Sequence, residues 1–350
     1  MSALPLEPME LWAFLENSDF ERMTKEGLYR QDEVALIHHD TRLDEDYALM
    51  VSIGCKGIRD AARWYLTHPA PHVFDWTWLD QVVESANRHQ LHLYLDLWHY
   101  GYPTWMDIMA EDAPAHFAKF ACQIATRYPS IQYYCVSNEP TLMVNRAGQR
   151  GKWRPFMRGK READLLRDQI CRMIIAASKA ILDVKPDAQL ILPEPWHTNV
   201  DHPLVEQACI INTVLGRLSP ELGGSEKYVT IVGLNHYRDT TIPPFHQLLL
   251  QAQQHWQDKV IWITETSGPP TGWQQAEWFW WMLAEVNLAR LMDVPIPVFT
   301  WAPTISMFDW VDEKKQLKNG MWKLDKDYNR LPNGTIVEAV HLARQYGYLE

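Results

Sequence analysis

Short apolar segments typical of β-strands recur along the chain, and each is followed by a segment whose apolar residues have helical spacing. Successive strand segments are separated by roughly 35 to 45 residues, an interval typical of repeated strand-helix units. A helix is expected after Asp75, in WTWLDQVVESANRHQ, and another from Glu162, in EADLLRDQICRMIIAASKAILDV. The eight strand segments begin at Leu11, Gly57, Leu91, Tyr133, Gln189, Ile231, Ile261 and Pro297.

The strand segments contain too few polar residues to keep one face in water, which favours a sheet covered on both sides. Eight such strands alternating with helices favour a closed parallel barrel over an open doubly wound sheet. No Gly-rich dinucleotide motif or P-loop follows the first strand, which also disfavours the open sheet. Because no linker rich in Gly, Ser or Pro divides the chain, we expect a single (β/α)8 TIM barrel over residues 1–350.

The charge of the chain limits the kinds of partner. Acidic residues outnumber basic ones by 44 to 33, for a formal net charge of -11, and basic residues cluster only within residues 150–161. This balance disfavours nucleic-acid and anionic-membrane partners and favours a neutral or cationic ligand. The N-terminal MSALPLEPMELWAFL lacks the pattern of a secretory signal and no long apolar run occurs, so we expect a cytoplasmic protein. The oligomeric state stays open.

Neither a metal nor an organic cofactor is predicted. The five cysteines form no C-x-x-C pair of the kind that binds zinc or carries redox chemistry. A metal-dependent hydrolase barrel needs several converging His and Asp ligands, often with an H-x-H pair on the first strand. The only adjacent histidines, His38 and His39, instead precede the first expected helix.

Carboxylates, amides and indoles close the predicted strands. Active sites of such barrels form at the C-terminal ends of the strands, so these residues are expected to share one face. Carboxylates for catalysis, amides for ring hydroxyls and aromatic faces for stacking are what a carbohydrate site requires. With 17 tryptophans in the chain, a small carbohydrate is the expected ligand. The strand-end residues are Glu16, Asn17, Trp64, Trp98, His99, Asn138, Glu139, Glu194, Trp196, His197, Asn235, Tyr237, Glu265 and Trp301.

Two strand-end motifs, NEP at residues 138–140 and ITET at residues 263–266, resemble glycoside hydrolase family 1, the β-glucosidase family of clan A. In that family the motifs on strands four and seven contain the acid/base and the nucleophile. Further similar segments follow in the family's order over nearly the whole chain. They are Arg59 and Trp64 on strand two, LWHYGYP from Leu97, GLNHY from Gly233, Trp301, the pair Asp309-Trp310, and GMWKLD from Gly320.

The chain also departs from the family pattern, as a compact and divergent relative would. The family's strand-one Gln has no clear counterpart in LWAFLENSDF, and Tyr100 replaces the Trp that follows the strand-three His. The nucleophile loop is TETSG, and Asp309 replaces a longer Glu. Recognition of sugar hydroxyls is therefore expected to differ from that of typical members.

The resemblance implies a retaining β-glycosidase that hydrolyses a neutral β-linked glycoside through a covalent glycosyl-enzyme intermediate. Glu139 is implied as acid/base, and Glu265 as nucleophile held by Arg59 and Tyr237. His99, Asn138 and Tyr237 are expected to line one pocket with the two glutamates. The residues expected to bind substrate are Arg59, His99, Asn138, Glu194, Asn235, Tyr237, Trp301, Asp309 and Trp310.

Several alternatives stay open at this point. The same two carboxylates would serve a transglycosidase or an endo-acting glycanase, and a non-catalytic sugar-binding barrel would keep the aromatic residues. Glu194 also closes a strand beside a Trp and a His, so it rivals the two glutamates for a catalytic role. Glu16 and Asn17 suit hydroxyl binding or capping equally. The acidic Asp309 favours a neutral sugar over a 6-phosphate, although Lys314, Lys315 and Lys318 follow closely.

Overall fold

Eight parallel strands close into a barrel, which confirms the predicted (β/α)8 fold. The computed structural model describes residues 6–197, 204–237, 243–268 and 272–350. Each of the eight apolar segments forms one strand, and the last strand pairs with the first. The barrel strands are β1 (Glu10–Phe14), β4 (Gly57–Ala61), β5 (His92–Asp96), β6 (Tyr133–Cys135), β7 (Gln189–Pro195), β8 (Ile231–Asn235), β9 (Val260–Glu265) and β10 (Val298–Trp301).

Helices follow the strands and cover the outside of the barrel. The helix expected after Asp75 begins at Thr77, and the one expected from Glu162 begins two residues earlier, at Lys160. Within the described ranges, no helix combines the length and apolarity needed to cross a membrane. The α-helices are α1 (Glu33–Leu36), α2 (His39–Ser52), α3 (Trp64–Thr67), α4 (Thr77–Arg88), α5 (Ala113–Arg127), α6 (Pro140–Met143), α7 (Lys160–Val184), α8 (Leu204–Val214), α9 (Phe245–His255), α10 (Gly272–Leu291) and α11 (Gly334–Gln345).

Two antiparallel hairpins lie outside the barrel, and the sequence did not predict either of them. One pairs β2 (Asp19–Thr24) with β3 (Gly27–Asp32), and the other pairs β11 (Trp322–Leu324) with β12 (Arg330–Pro332). Their strands are three to six residues long and polar residues interrupt the apolar ones, so they carry no apolar run that would mark them. The first hairpin belongs to the loop after β1 and therefore stands at the same end of the barrel as the strand C-termini.

Alternation along the strands divides the barrel interior into two layers. Trp12, Tyr94 and Trp262 point inward near the strand N-termini, and the Trp12 and Trp262 rings meet with centroids 5.0 Å apart. Two residues closer to the strand C-termini than Gly57 on β4 and Tyr94 on β5, Arg59 and Asp96 also point into the barrel. The aromatic layer closes the bottom of the barrel, and the polar layer above it opens toward the strand ends.

The bottom layer is packed too tightly to accept an additional methyl group at Gly57. A Cβ built on Gly57 would lie 2.4 Å from the Trp12 indole, whereas one on Gly334 would meet nothing within 4 Å. We expect Gly57→Ala to lower the free energy of unfolding by about 1–3 kcal/mol, as overpacking does. Gly334→Ala is the matched control and should leave stability nearly unchanged. Urea unfolding measures both, and equal stabilities would contradict this account of the packing.

Candidate active site

The C-terminal ends of the barrel strands surround a cavity of about 340 Å³. Both predicted catalytic glutamates line it, together with aromatic and polar residues from the loops. Among the described residues, no Lys or Arg lines it. The lining residues are Glu16, His99, Tyr100, Glu139, Tyr237, Glu265, Ser267, Pro303, Met307, Asp309, Trp310, Leu317 and Asn319.

A register shift in the sheet positions Glu265. Leu234 on β8 pairs with Ile263 on β9, but the next residue, Asn235, pairs with Glu265, so Thr264 is the extra residue of a bulge. Such bulges change the direction in which side chains point and are common beside active sites. The Thr264 hydroxyl donates to Asn235 Oδ1 at 2.6 Å, which ties the bulge to the neighbouring strand.

Glu265 is almost fully buried, and each of its carboxylate oxygens accepts one strong hydrogen bond. Arg59 Nη1 donates to Oε1 at 2.6 Å, and the Tyr237 hydroxyl donates to Oε2 at 2.6 Å. A guanidinium is permanently charged, so Glu265 has a buried counter-charge in direct contact. These are the two contacts that the family resemblance implied for the nucleophile.

Arg59 is fully buried and connects several site residues. Its Nη2 donates to Asp96 Oδ2 at 2.7 Å and to Asn138 Oδ1 at 2.7 Å. Although burial alone would raise the pKa of the Asp96 carboxyl, the adjacent Arg59 charge holds it at about 2. The guanidinium also lies over the Phe14 ring, 4.6 Å from its centroid. One cation thus positions Glu265, a buried aspartate and Asn138, the residue that precedes Glu139.

Glu139 has a different environment. Its backbone is in the left-handed region (φ 38°), and Pro140 begins α6 immediately after it. The carboxyl oxygens accept from Asn235 Nδ2 at 2.9 Å and from the Tyr100 hydroxyl at 2.9 Å. Burial, followed by the charge of Glu265, raises the pKa of Glu139 to about 7. The two neutral donors lower this pKa by less than burial and the Glu265 charge raise it, so the Glu139 carboxyl can carry a proton near neutral pH.

Asn138 links the two glutamates through hydrogen bonds whose direction is determined by Arg59. A guanidinium can only donate, so the amide oxygen of Asn138 must face it. The amide nitrogen then faces His99 Nε2 at 2.9 Å and the Tyr100 hydroxyl at 3.1 Å. His99 Nδ1 lies 2.7 Å from Asp96 Oδ2 and donates to that carboxylate, which leaves Nε2 as the acceptor.

The structure places the predicted substrate-binding residues at three different depths. His99, Tyr237, Asp309 and Trp310 line the cavity itself. Arg59, Asn138 and Asn235 lie directly behind the two glutamates and contact their carboxyl groups or each other. The cavity does not reach the remaining two, Glu194 and Trp301.

Glu194 is fully buried behind α6, the helix that follows Glu139. Its carboxyl accepts from the Thr141 hydroxyl at 2.8 Å and faces the Thr141 backbone N–H. Burial raises the pKa of this carboxyl well above its usual range. Trp301 is also fully buried and packs edge-on against Phe279 at 5.7 Å. Glu194 thus supports the segment after Glu139 from behind, whereas Trp301 packs against α10. The rule of strand ends could not distinguish either position from direct contact with a ligand.

Sequence reasoning did not assign a role to Tyr100 and left Glu16 open between two roles. Glu16 lines the cavity, and one of its oxygens accepts from the Ser18 backbone N–H at 3.1 Å. Burial, followed by the charges of Glu33 and Glu265, raises the pKa of Glu16 to about 8. The available sequence signal for both residues was their position directly after a barrel strand. Within the described ranges, no group of His, Cys, Asp and Glu side chains is arranged to hold a metal ion.

Comparison with known proteins gives a family match over part of the chain. A family model described as Glyco_hydro_42, Beta-galactosidase, matches residues 37–146. This segment is less than a third of the chain, and it contains Arg59, His99, Asn138 and Glu139. No curated protein matches the sequence.

Solved structures share the fold at low sequence identity. The AHE enzyme from Alicyclobacillus herbarius superposes with a TM-score of 0.73 at 18% identity, covering 87% of each chain. A family 1 β-glucosidase from Thermotoga maritima superposes with a TM-score of 0.75 at 14% identity, covering 90% of this chain and 88% of that one. The β-glucosidase of the same organism in complex with castanospermine superposes with a TM-score of 0.77 at 12% identity, covering 100% of both chains.

The partial family match and the barrel together support a glycosidase of clan A. The more specific resemblance to family 1 stays a prediction, because at these identities the structural similarity concerns the fold alone.

Proposed function

We propose that this protein is a retaining β-glycosidase that hydrolyses a neutral β-linked glycoside by double displacement. The observation that carries the proposal is the contrast between two buried carboxyl groups in one cavity. Glu265 contacts a buried cation, whereas Glu139 contacts only neutral donors and has its pKa raised to about 7. A retaining mechanism needs one ionised carboxylate and one protonated carboxyl group.

In the first step, Glu265 attacks the anomeric carbon while Glu139 donates its proton to the glycosidic oxygen. The aglycone leaves as an alcohol, and the sugar is held as an ester of Glu265. The Tyr237 hydroxyl and Arg59 orient the attacking carboxylate. Glu139 finishes this step ionised, with both oxygens still accepting from Asn235 and Tyr100.

In the second step, Glu139 acts as a base and removes a proton from water. The water attacks the anomeric carbon, the bond to Glu265 breaks, and the sugar leaves with its original β configuration. Glu139 is then protonated again and ready for the next substrate. A pKa near neutrality suits both roles, because the group must donate in one step and accept in the other.

The lining of the cavity favours a small neutral sugar. Trp310 provides an aromatic face, and Asp309, Asn319 and His99 provide polar atoms around it. The structural neighbours include β-glucosidases, one of them in complex with castanospermine. We therefore expect a β-glucoside or a closely related glycoside as substrate, cleaved in the cytoplasm.

A screen of nitrophenyl β-glycosides tests the proposal directly. We expect the wild-type protein to release nitrophenol from at least one of them, and Glu265→Gln to lose nearly all of this turnover because it lacks the nucleophile. Proton NMR of the first turnovers should show the β anomer of the released sugar. Initial release of the α anomer would contradict retention, and sugar binding without turnover would favour a non-catalytic barrel.

Replacing each glutamate by alanine should separate their roles. Glu265→Ala should lose nearly all turnover, and azide should restore it with an α-glycosyl azide as product. Glu139→Ala should keep activity on dinitrophenyl glycosides, whose leaving group needs no proton, and azide should give the β product. NMR of the azide products checks the assignment, and the reverse stereochemistry would exchange the two roles.

The substrate is expected to carry no phosphate. Backbone N–H groups of Val311 and Asp312 lower the pKa of Asp309, so this carboxylate is ionised in the cavity. At about 4 Å and an effective dielectric near 20, a second negative charge beside it would cost on the order of 4 kcal/mol. Lys315 lies 3.4 Å from Asp309, and no Arg or Lys of the described ranges lines the cavity.

The comparison of a nitrophenyl β-glucoside with its 6-phosphate at equal salt measures this preference. We expect a higher kcat/KM for the neutral substrate. Because Lys315 is the basic residue in contact with Asp309, Lys315→Ala is the informative variant. A preference for the phosphorylated substrate that disappears in Lys315→Ala would show that a phosphate binds beside Asp309 instead.

A further inference from the structure

Tyr100 contacts the carboxyl group of Glu139 from the loop that follows β5. Its side chain is buried and lines the cavity, and its hydroxyl lies 2.9 Å from Glu139 Oε2. The second partner of the hydroxyl is Asn138 Nδ2, at 3.1 Å. The resembled family has a tryptophan at this position, so the contact is a feature of this chain.

The direction of these hydrogen bonds follows from the chemistry of the partners. Arg59 can only donate, which turns the oxygen of Asn138 toward it and the NH2 group toward Tyr100. The Tyr100 hydroxyl therefore accepts from Asn138. A phenol has a single hydrogen to donate, and that hydrogen is left for Glu139. The chain of donors thus begins at the cation that holds the nucleophile and ends at the acid/base.

The Tyr100 ring is fixed on several sides, so its hydroxyl has little freedom to turn away. His99 lies against it edge-on at 4.6 Å, and Trp153 and Trp310 approach to 4.8 Å and 5.8 Å. The Trp98 indole N–H donates to the backbone oxygen of Tyr100 at 3.2 Å. Tyr100 has a φ of 77°, a region that bulky residues avoid unless the surroundings impose it.

We propose that Tyr100 is a positioning residue for Glu139, whose hydroxyl orients the carboxyl group and stabilises the carboxylate that remains after proton donation. The proposal rests on the function proposed above, in which Glu139 is the acid/base. Negative charge develops on Glu139 as its proton moves to the glycosidic oxygen. A preorganised donor contributes most at that moment, because its hydrogen bond strengthens as the acceptor becomes charged.

Other charged and titratable groups also act on Glu139. They come from several barrel strands, and the Tyr100→Phe substitution keeps all of them. They are Glu265 on β9, Arg59 on β4, Glu194 on β7 and Tyr237 after β8, while Glu16, after β1, acts on Tyr100. A change in the pKa of Glu139 in Tyr100→Phe therefore reports the loss of one hydroxyl group, because the other charged and titratable groups around Glu139 are unchanged.

The experiment compares Tyr100→Phe with Tyr102→Phe. Tyr102 lies on the same loop and is equally buried, and its hydroxyl makes no hydrogen bond within the described part of the chain. Removing the donor from Glu139 should raise its pKa. The basic limb of the kcat/KM profile should therefore move up by about one pH unit in Tyr100→Phe. Tyr102→Phe should keep the wild-type profile.

The leaving group gives a second readout. For alkyl or nitrophenyl glycosides, which need the proton, kcat/KM should fall about 10- to 100-fold in Tyr100→Phe. For dinitrophenyl glycosides the loss should be about twofold or less, because little proton transfer is required. A loss that is equal for all leaving groups would indicate a general structural role and would overturn the proposal.

A double-mutant cycle separates this proposal from the function on which it rests. In a Glu139→Ala background, Tyr100→Phe should have almost no further effect, because its partner is gone. An undiminished effect there would show that Tyr100 acts on something other than Glu139. If Glu139→Ala itself cleaves alkyl glycosides normally, the proposed acid/base role fails first. Thermal unfolding of each variant verifies folding, and Tyr100→Leu, whose side chain has no donor, provides a second test should Tyr100→Phe not fold.

Discussion

The buried guanidinium of Arg59 is the interaction on which the order of the site depends. Taking this cation out of water costs several kcal/mol, which only close and well-directed acceptors can offset. Asp96, Glu265 and Asn138 accept from it at 2.6 to 2.7 Å, and two aromatic rings cover its faces. Each acceptor is thereby fixed relative to the others. Without the cation, two carboxylates would remain buried and uncompensated, so the barrel interior could not keep this arrangement.

The different roles proposed for Glu139 and Glu265 follow from the hydrogen-bond partners that each carboxyl group has. Glu265 receives the cation itself, whereas Glu139 receives only the neutral donors Asn235 and Tyr100. Burial and the neighbouring carboxylate raise the pKa of Glu139 by more than these donors and the more distant Arg59 lower it. The proposed mechanism needs both carboxyl environments within one cavity. Because the barrel closes, Glu139, which follows β6, and Glu265, at the end of β9, line the same cavity.

The sequence allowed the barrel and the two glutamates to be predicted, because apolar strands and strand-end motifs are local patterns. Every predicted barrel strand is present, and both glutamates share the cavity. The sequence did not predict which of the strand-end side chains line the cavity and which lie outside it. Glu194 and Trp301 also end strands, yet Glu194 faces Thr141 behind Glu139 and Trp301 packs against Phe279. The direction of each side chain is decided only in the folded sheet. The Tyr100 contact depends on a left-handed backbone that no local pattern marked.

The residues of the site lie on two kinds of structural element. Those proposed for catalysis lie on or just after the barrel strands, and those proposed for substrate recognition lie on a loop. The carboxyl groups and Arg59 belong to the barrel strands or the residues directly after them. Asp309 and Trp310 instead belong to the loop after β10, which the β2–β3 hairpin supports: Gln31 Nε2 donates to the Asp309 carbonyl at 3.1 Å, and Arg22 pairs with Glu313. Loops of this kind can change without disturbing the strands beneath them. Changes in substrate preference are therefore expected to arise in the hairpin and the β10 loop, while the catalytic pair stays constrained by the buried cation.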